Sequence, residues 1–174
     1  MAPRVVASPR RYLDRSRPDM KLKVALLGAG RIAAYFHAPI LRGHSRVEFT
    51  VVADSDPARA YLGEGAAFVS DWRLAIARDD VDAVVICLPP ALHADAAIAA
   101  FAAGKHVYIE KPLALTLEDA RRVEAAWRAS GKIGVIGFNF RFHPRFREIA
   151  KAIAGARLLS GQAVFTSAAR TLPG

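Results

Sequence analysis

Val24-Ala25-Leu26-Leu27-Gly28-Ala29-Gly30-Arg31-Ile32-Ala33 is the stretch that decides the fold. Its first four residues form an apolar run typical of a parallel strand buried on both faces, entered through Lys21 and Lys23. From Ile32 through Leu41 the apolar spacing becomes helical. A Gly-x-Gly-x-x-Ala turn set between a strand and a helix is built to receive a dinucleotide. Gly28 permits the tight turn, Gly30 leaves no side chain between the backbone and a pyrophosphate, and the small Ala33 lets the helix lie close on the strand. Free N–H groups at the helix start, around Arg31 and Ile32, then face the phosphates with the helix dipole behind them.

The next strand supplies the second half of this pattern. Phe49-Thr50-Val51-Val52-Ala53-Asp54 is rich in β-branched residues and ends in an acid. Asp54 lies 21 positions after Ala33, close to the spacing at which a carboxylate reaches the adenosine ribose. A carboxylate accepts hydrogen bonds from a 2′-hydroxyl and repels a 2′-phosphate, so the expectation leans to NAD over NADP. Asp54-Ser55-Asp56-Pro57 is also a good helix start, which offers capping as the other role for Asp54. Both roles are compatible, with Asp56 the better cap and Asp54, beside Ser55, the better ribose ligand. Arg59 stands against the NAD preference, because an arginine near this turn can accommodate a phosphate.

The bulk numbers bound the rest. A chain of 174 residues with 53% hydrophobic residues allows one domain of ordinary size, or one domain plus part of another. No apolar stretch is long enough to span a membrane. The formal net charge is +9, and 19 of the 25 basic residues are arginine, spread over many segments. Two places concentrate them: the first 19 residues, and Arg141, Arg145, Arg147 and Lys151. Neither resembles a nucleic-acid module, and the second suits an anionic substrate or cofactor phosphates equally well. A single cysteine, Cys87, excludes an intrachain disulfide and points to a reducing, cytoplasmic compartment. No His/Cys/Asp/Glu cluster has metal-ligand spacing, so no metal is expected.

Along the chain, residues 1–20 read as a disordered leader, since they are polar and without periodicity. After the second strand come a short helix over 57–63, a strand over 66–69 and a helix capped by Ser70-Asp71. A strand over 81–88 follows, then an alanine-rich helix over 91–103 stopped by Gly104. A strand over 105–109, an amphipathic helix over 116–130, a strand over 132–138 and a helix over 144–154 complete the order. Strands alternating with helices predict the α/β class: a doubly wound parallel sheet, covered on both faces. The expected domains are a dinucleotide-binding domain over 21–141 and, over 142–174, a linker helix with the first strand of a second α/β domain.

Ligands of such a sheet bind outside its carboxyl edge. That edge should carry Leu88-Pro89-Pro90, Glu110-Lys111-Pro112 and Phe138-Asn139-Phe140-Arg141. Lys111 is the candidate proton-transferring group, because burial beside a cofactor can tune an ammonium towards neutral pH. Glu110 would hold it in place or contact the cofactor. The Lys111–Pro112 bond is a candidate for the cis form, which X-Pro tolerates. On spacing alone, a surface ion pair is the plainer reading of Lys111.

Taken together these motifs resemble the glucose-fructose oxidoreductase, inositol dehydrogenase and rhizopine-catabolism family of NAD(P)-dependent oxidoreductases. The resemblance is carried by residues 24–33, Val51-Val52-Ala53-Asp54 and Pro89-Pro90-Ala91-Leu92-His93. Its most specific stretch is Ala103-Gly104-Lys105-His106-Val107-Tyr108-Ile109-Glu110-Lys111-Pro112-Leu113-Ala114, with Gly137-Phe138-Asn139-Phe140-Arg141-Phe142-His143-Pro144 after it. The resemblance implies a Rossmann domain followed by an α/β domain with an open, mostly antiparallel sheet. It implies Lys111 in the substrate pocket near the nicotinamide, and Glu110 in contact with the cofactor. Leu88, Pro89 and His93 would line the cofactor, and Asn139 and Arg141 would approach the nicotinamide. The implied chemistry is hydride transfer at a secondary carbinol of a sugar, cyclitol or related polyol.

Members of that family are roughly twice this length, a two-domain size. The family's catalytic aspartate and histidine, on a helix of the second domain, have no counterpart here. The expectation is therefore the NAD(P)-binding portion of such an enzyme, without dehydrogenase activity as residues 1–174 alone. A non-catalytic dinucleotide-binding module or an inactive fragment is the alternative. An apolar strand expected over 162–167 has no partner strand in the sequence, which predicts self-association through its open edge.

Overall fold

A computed structural model of the protein describes residues 20–157, together with 160, 162 and 164. The chain divides into two compact units, Met1–Phe138 and Asn139–Gly174. Apart from Met20, Gln162 and Val164, the expected leader and the expected strand over 162–167 lie outside the described residues.

In the first unit, apolar β-branched runs form β1 (Leu22–Leu27), β2 (Val47–Ala53), β3 (Ala67–Val69), β4 (Ala83–Ile86), β5 (His106–Ile109) and β6 (Gly134–Ile136). They make one sheet in the order β3-β2-β1-β4-β5-β6, with every pairing parallel. This is the doubly wound order, and its direction of growth reverses between β1 and β4. The strands expected over 81–88 and 132–138 are shorter in the structure. Their ladders run only as far as the neighbouring strands offer partners, as in Ala83 to Ile86 against Val24 to Leu27.

The register carries the functional consequence. Val69, Ala53, Leu27, Ile86, Ile109 and Ile136 stand opposite one another in a single row across the sheet. The residues that follow them, Ser70, Asp54, Gly28, Cys87, Glu110 and Gly137, therefore leave the carboxyl edge at one level.

Helices cover both faces. After the glycine turn the chain makes a π-turn over Ala33–His37 and then α1 (Ala38–Gly43). The Ala38 N–H reaches back to Ala33 O, and Pro39 has no N–H with which to continue a regular ladder. A 3-10 turn over Pro57–Gly63 starts at Asp56, whose side chain accepts the Ala58 N–H. Next come α2 (Trp72–Ile76), capped by Asp71, and α3 (His93–Ala102), preceded by a 3-10 turn over Pro90–Leu92. In α4 (Leu117–Ser130) Thr116 accepts the Asp119 N–H, and Gly131 ends the helix at φ +64°.

Alternate residues of each strand feed two cores. Ala25, Leu27, Val84 and Ile86 pack with Ala97, Ala100 and Phe101 of α3 on one face. Val24, Leu26, Val52 and Val85 pack with Ala33, Ala38 and Leu41 on the other. Each fully buried aliphatic side chain stabilises the sheet by about 1.5–3 kcal/mol.

The second unit carries a 3-10 turn over Asn139–Phe142 and α5 (Pro144–Ala152). Within it the Phe146 ring packs on Phe140 and meets His143 edge-on, with centroids 5.5 and 5.9 Å apart. Among the described residues no helix is long and apolar enough to cross a membrane.

Candidate cofactor site

The carboxyl edge opens into a cavity of about 660 Å³, within the range of small-molecule and cofactor sites. It lies at the reversal of strand order between β1 and β4, lined by the glycine turn, the end of β2, the end of β3 and the end of β4. Gly28 is at φ +88°, and a Cβ there would sit 2.6 Å from the Cys87 backbone. The turn after β1 and the turn after β4 are thus in contact along their backbones, which only glycine permits. Gly30 is different: a Cβ there would meet nothing within 4 Å. Gly30, Arg31 and Ile32 all line the cavity, so a phosphate there can come close to the backbone at the helix start.

Asp54 is fixed by two backbone donors. Ala29 N–H donates to Asp54 Oδ2 at 2.7 Å and Asp56 N–H donates to Oδ1 at 2.9 Å. Each carboxylate oxygen keeps a lone pair, so the group can still accept from ribose hydroxyls. The cap of the 3-10 turn is Asp56, whose side chain accepts the Ala58 N–H, and Asp54 holds the backbone just ahead of it. The residues present fit a dinucleotide: an open glycine cradle, free helix-start donors and an anchored acid at the end of β2.

Of the residues expected to bind cofactor, Gly28, Gly30, Arg31, Ile32, Asp54, Ser55, Leu88 and Pro89 line this cavity. Ala33 does not, being fully buried where it lets the helix approach β1. Arg59 lies outside the lining as well, and its guanidinium pairs with Asp56 at 3.4 Å. His93 requires a correction. It is 1% exposed, and its ring joins Pro112 O at Nδ1 (2.7 Å) and Leu88 O at Nε2 (2.8 Å). A side chain enclosed in this way braces two loops from behind and presents nothing to a ligand.

Glu110 is also not in the lining. Its Oε1 meets His37 Nε2 at 2.9 Å and its Oε2 accepts the Lys111 N–H at 3.2 Å. Lys111 is exposed, and its bond to Pro112 is cis. Asn139 and Arg141 are exposed members of the second unit.

The sequence reading missed several lining residues: Trp72, Arg73, Cys87 and Leu92, with Ser70 and Asp71 recognised only as caps. The rule that ligands gather at strand ends, applied to β3 as it was to the other strands, would have found the first group. Arg73 lies over the Trp72 ring at 4.2 Å and also pairs with Asp71, making a flat, cationic plate at the β3 end. Cys87 is half-enclosed, and burial, with the Glu110 charge adding to it, pushes its thiol up to about 12. Among the described residues no group of three or more His, Cys, Asp or Glu can hold a metal.

Residues 22–138 match the model of an oxidoreductase family with an NAD-binding Rossmann fold. The chain is 39% identical over 145 residues to inositol 2-dehydrogenase of Rhizobium meliloti, covering 80% of this chain and 42% of that protein. Among solved structures it is similar to KijD10, a 3-ketoreductase from Actinomadura kijaniata in complex with NADP. That similarity is 34% identity at a TM-score of 0.71, over 77% of this chain and 44% of that one. It is also similar to GenD2 from gentamicin A biosynthesis in complex with NAD, with 33% identity and a TM-score of 0.72, over 78% of this chain and 40% of that one. The chain spans about two fifths of the length of the curated relatives it matches.

Proposed function

Because the chain belongs to the glucose-fructose oxidoreductase, inositol dehydrogenase and rhizopine-catabolism family of NAD(P)-dependent oxidoreductases, we propose that it is the cofactor-binding portion of an enzyme acting on a secondary carbinol of a sugar, cyclitol or related polyol. The observation that carries this reading is the row of strand ends. It sets the open glycine cradle, the doubly anchored Asp54 and the Glu110-Lys111-Pro112 loop on one edge of the sheet.

Gly28, Gly30 and the N–H groups that follow would hold the pyrophosphate, and Asp54 with Ser55 the adenosine ribose. Arg31 would neutralise phosphate charge at the cavity mouth. The carboxylate at Asp54 favours NAD over NADP, since a 2′-phosphate would bring like charges together. The nicotinamide supplies the hydride chemistry when bound. Lys111 would hold the reacting hydroxyl and exchange its proton, and Asn139 and Arg141 would border the substrate. A lone free thiol, Cys87, suits a reducing, cytoplasmic setting.

Titration of the folded chain with NADH, followed by nicotinamide fluorescence and calorimetry, tests the reading. Saturable binding that is weaker for NADPH is expected, and no interaction on folded protein would end it.

A further inference from the structure

The Glu110-Lys111-Pro112 loop is held at both ends by histidines. At its far end Pro112 O is bound to the buried His93. At its near end Glu110 reaches across the sheet edge to His37, the last residue of the π-turn that follows the glycine cradle. Both side chains of this second contact are largely enclosed, at 15% and 17% exposure, and Nε2 and Oε1 are 2.9 Å apart. The His37 ring also meets Tyr108 edge-on at 5.3 Å, which fixes its plane.

Gly137 completes the enclosure. A Cβ there would lie 2.8 Å from the Tyr108 hydroxyl and 3.2 Å from Glu110 Oε1, so the absence of a side chain makes room for both groups. With Oε1 on His37, the second oxygen of Glu110 accepts the N–H of Lys111 itself. The carboxylate thus ties the helix of the glycine cradle to the backbone of Lys111, whose ammonium has no partner among the described residues.

We propose that His37 is a positioning residue, which holds Glu110 and, through it, sets the backbone of Lys111 beside the cofactor site. The proposal rests on the reading of Lys111 as the group that meets the substrate. It gives Glu110 a task other than cofactor contact. It also gives a purpose to the π-turn, whose wider winding delivers His37 to the sheet edge.

Residue-resolved amide exchange on the 174-residue chain, without cofactor, tests it. His37→Ala should speed exchange of the Lys111 amide by roughly tenfold or more, the effect of losing a bond to a charged acceptor. His37→Gln, whose side-chain amide can still donate to Glu110, should restore it. Should the alanine variant fail to fold, His37→Asn, polar but too short to make the contact, takes its place.

Unchanged exchange at Lys111 in a folded variant overturns the proposal. So does a general acceleration across the core that glutamine does not reverse, because that marks a merely structural histidine. Local acceleration reversed by glutamine supports positioning whether or not NADH binds, and failure of NADH to bind counts against the cofactor reading alone.

Discussion

The Ala29 N–H donates to Asp54 Oδ2 at 2.7 Å, so the acid at the end of β2 holds the glycine turn in shape before any ligand arrives. Bonds from backbone N–H to a carboxylate contribute about 1.5–3 kcal/mol each. Asp54→Ser should therefore lower NADH affinity and narrow or invert the ratio of NADH to NADPH binding. Parallel titrations with the two cofactors check this, and an unchanged ratio would leave Asp54 a purely structural acid.

The two glycines of the turn should separate folding from binding. Gly28→Ala places a Cβ 2.6 Å from the Cys87 backbone at φ +88° and should destabilise the fold by about 3 kcal/mol or more. Gly30→Ala has open space and should leave the urea midpoint nearly unmoved while weakening NADH binding. Equal midpoints for the two variants would contradict the geometry.

Removing the His93 ring strips Leu88 O and Pro112 O of their partner in a buried place. His93→Ala should cost about 2–4 kcal/mol, from lost hydrogen bonding to a buried carbonyl plus a cavity. Equilibrium denaturation measures it, and a change below the error of that measurement would return His93 to the surface.

Cys87 should resist thiol reagents in the folded protein, because burial keeps it protonated up to about 12. Below the ordinary thiol value of 9.0 both states are protonated and the contribution is whole. From there upward the unfolded chain ionises first, so stability is lost as pH rises towards about 12. Labelling rates at neutral pH and denaturation midpoints between pH 8 and 11 (roughly the window set by these values) check both statements, and rapid native labelling at neutral pH would refute the first.

For Lys111 the expectation concerns turnover. In a protein carrying the full length of the relatives, Lys111→Ala should lower kcat on the order of 10²-fold or more, with melting temperature and NADH affinity almost unchanged. Steady-state kinetics beside calorimetry reads this out, and a kcat close to wild type would remove Lys111 from the chemistry.

Elements with strong local signals were legible in the residues themselves. The apolar run from Val24, the Asp71 cap and the stop at Gly104 each follow from the chemistry of a few neighbours, and the structure has a strand and helices there. The doubly wound class also followed, because alternating strands and helices leave few ways to wind a parallel sheet, while the strand order itself came from the structure. Tertiary structure alone decided which side chains face the cavity. His93 and Leu92 are adjacent in sequence, yet one is sealed behind the loops and the other lines the site. The Glu110 carboxylate turned to His37, 73 residues away, a pairing that no spacing rule reports. Local sequence sets the backbone through short-range sterics and hydrogen bonding. The direction of a polar side chain at a sheet edge depends on partners that only the packed chain brings within reach.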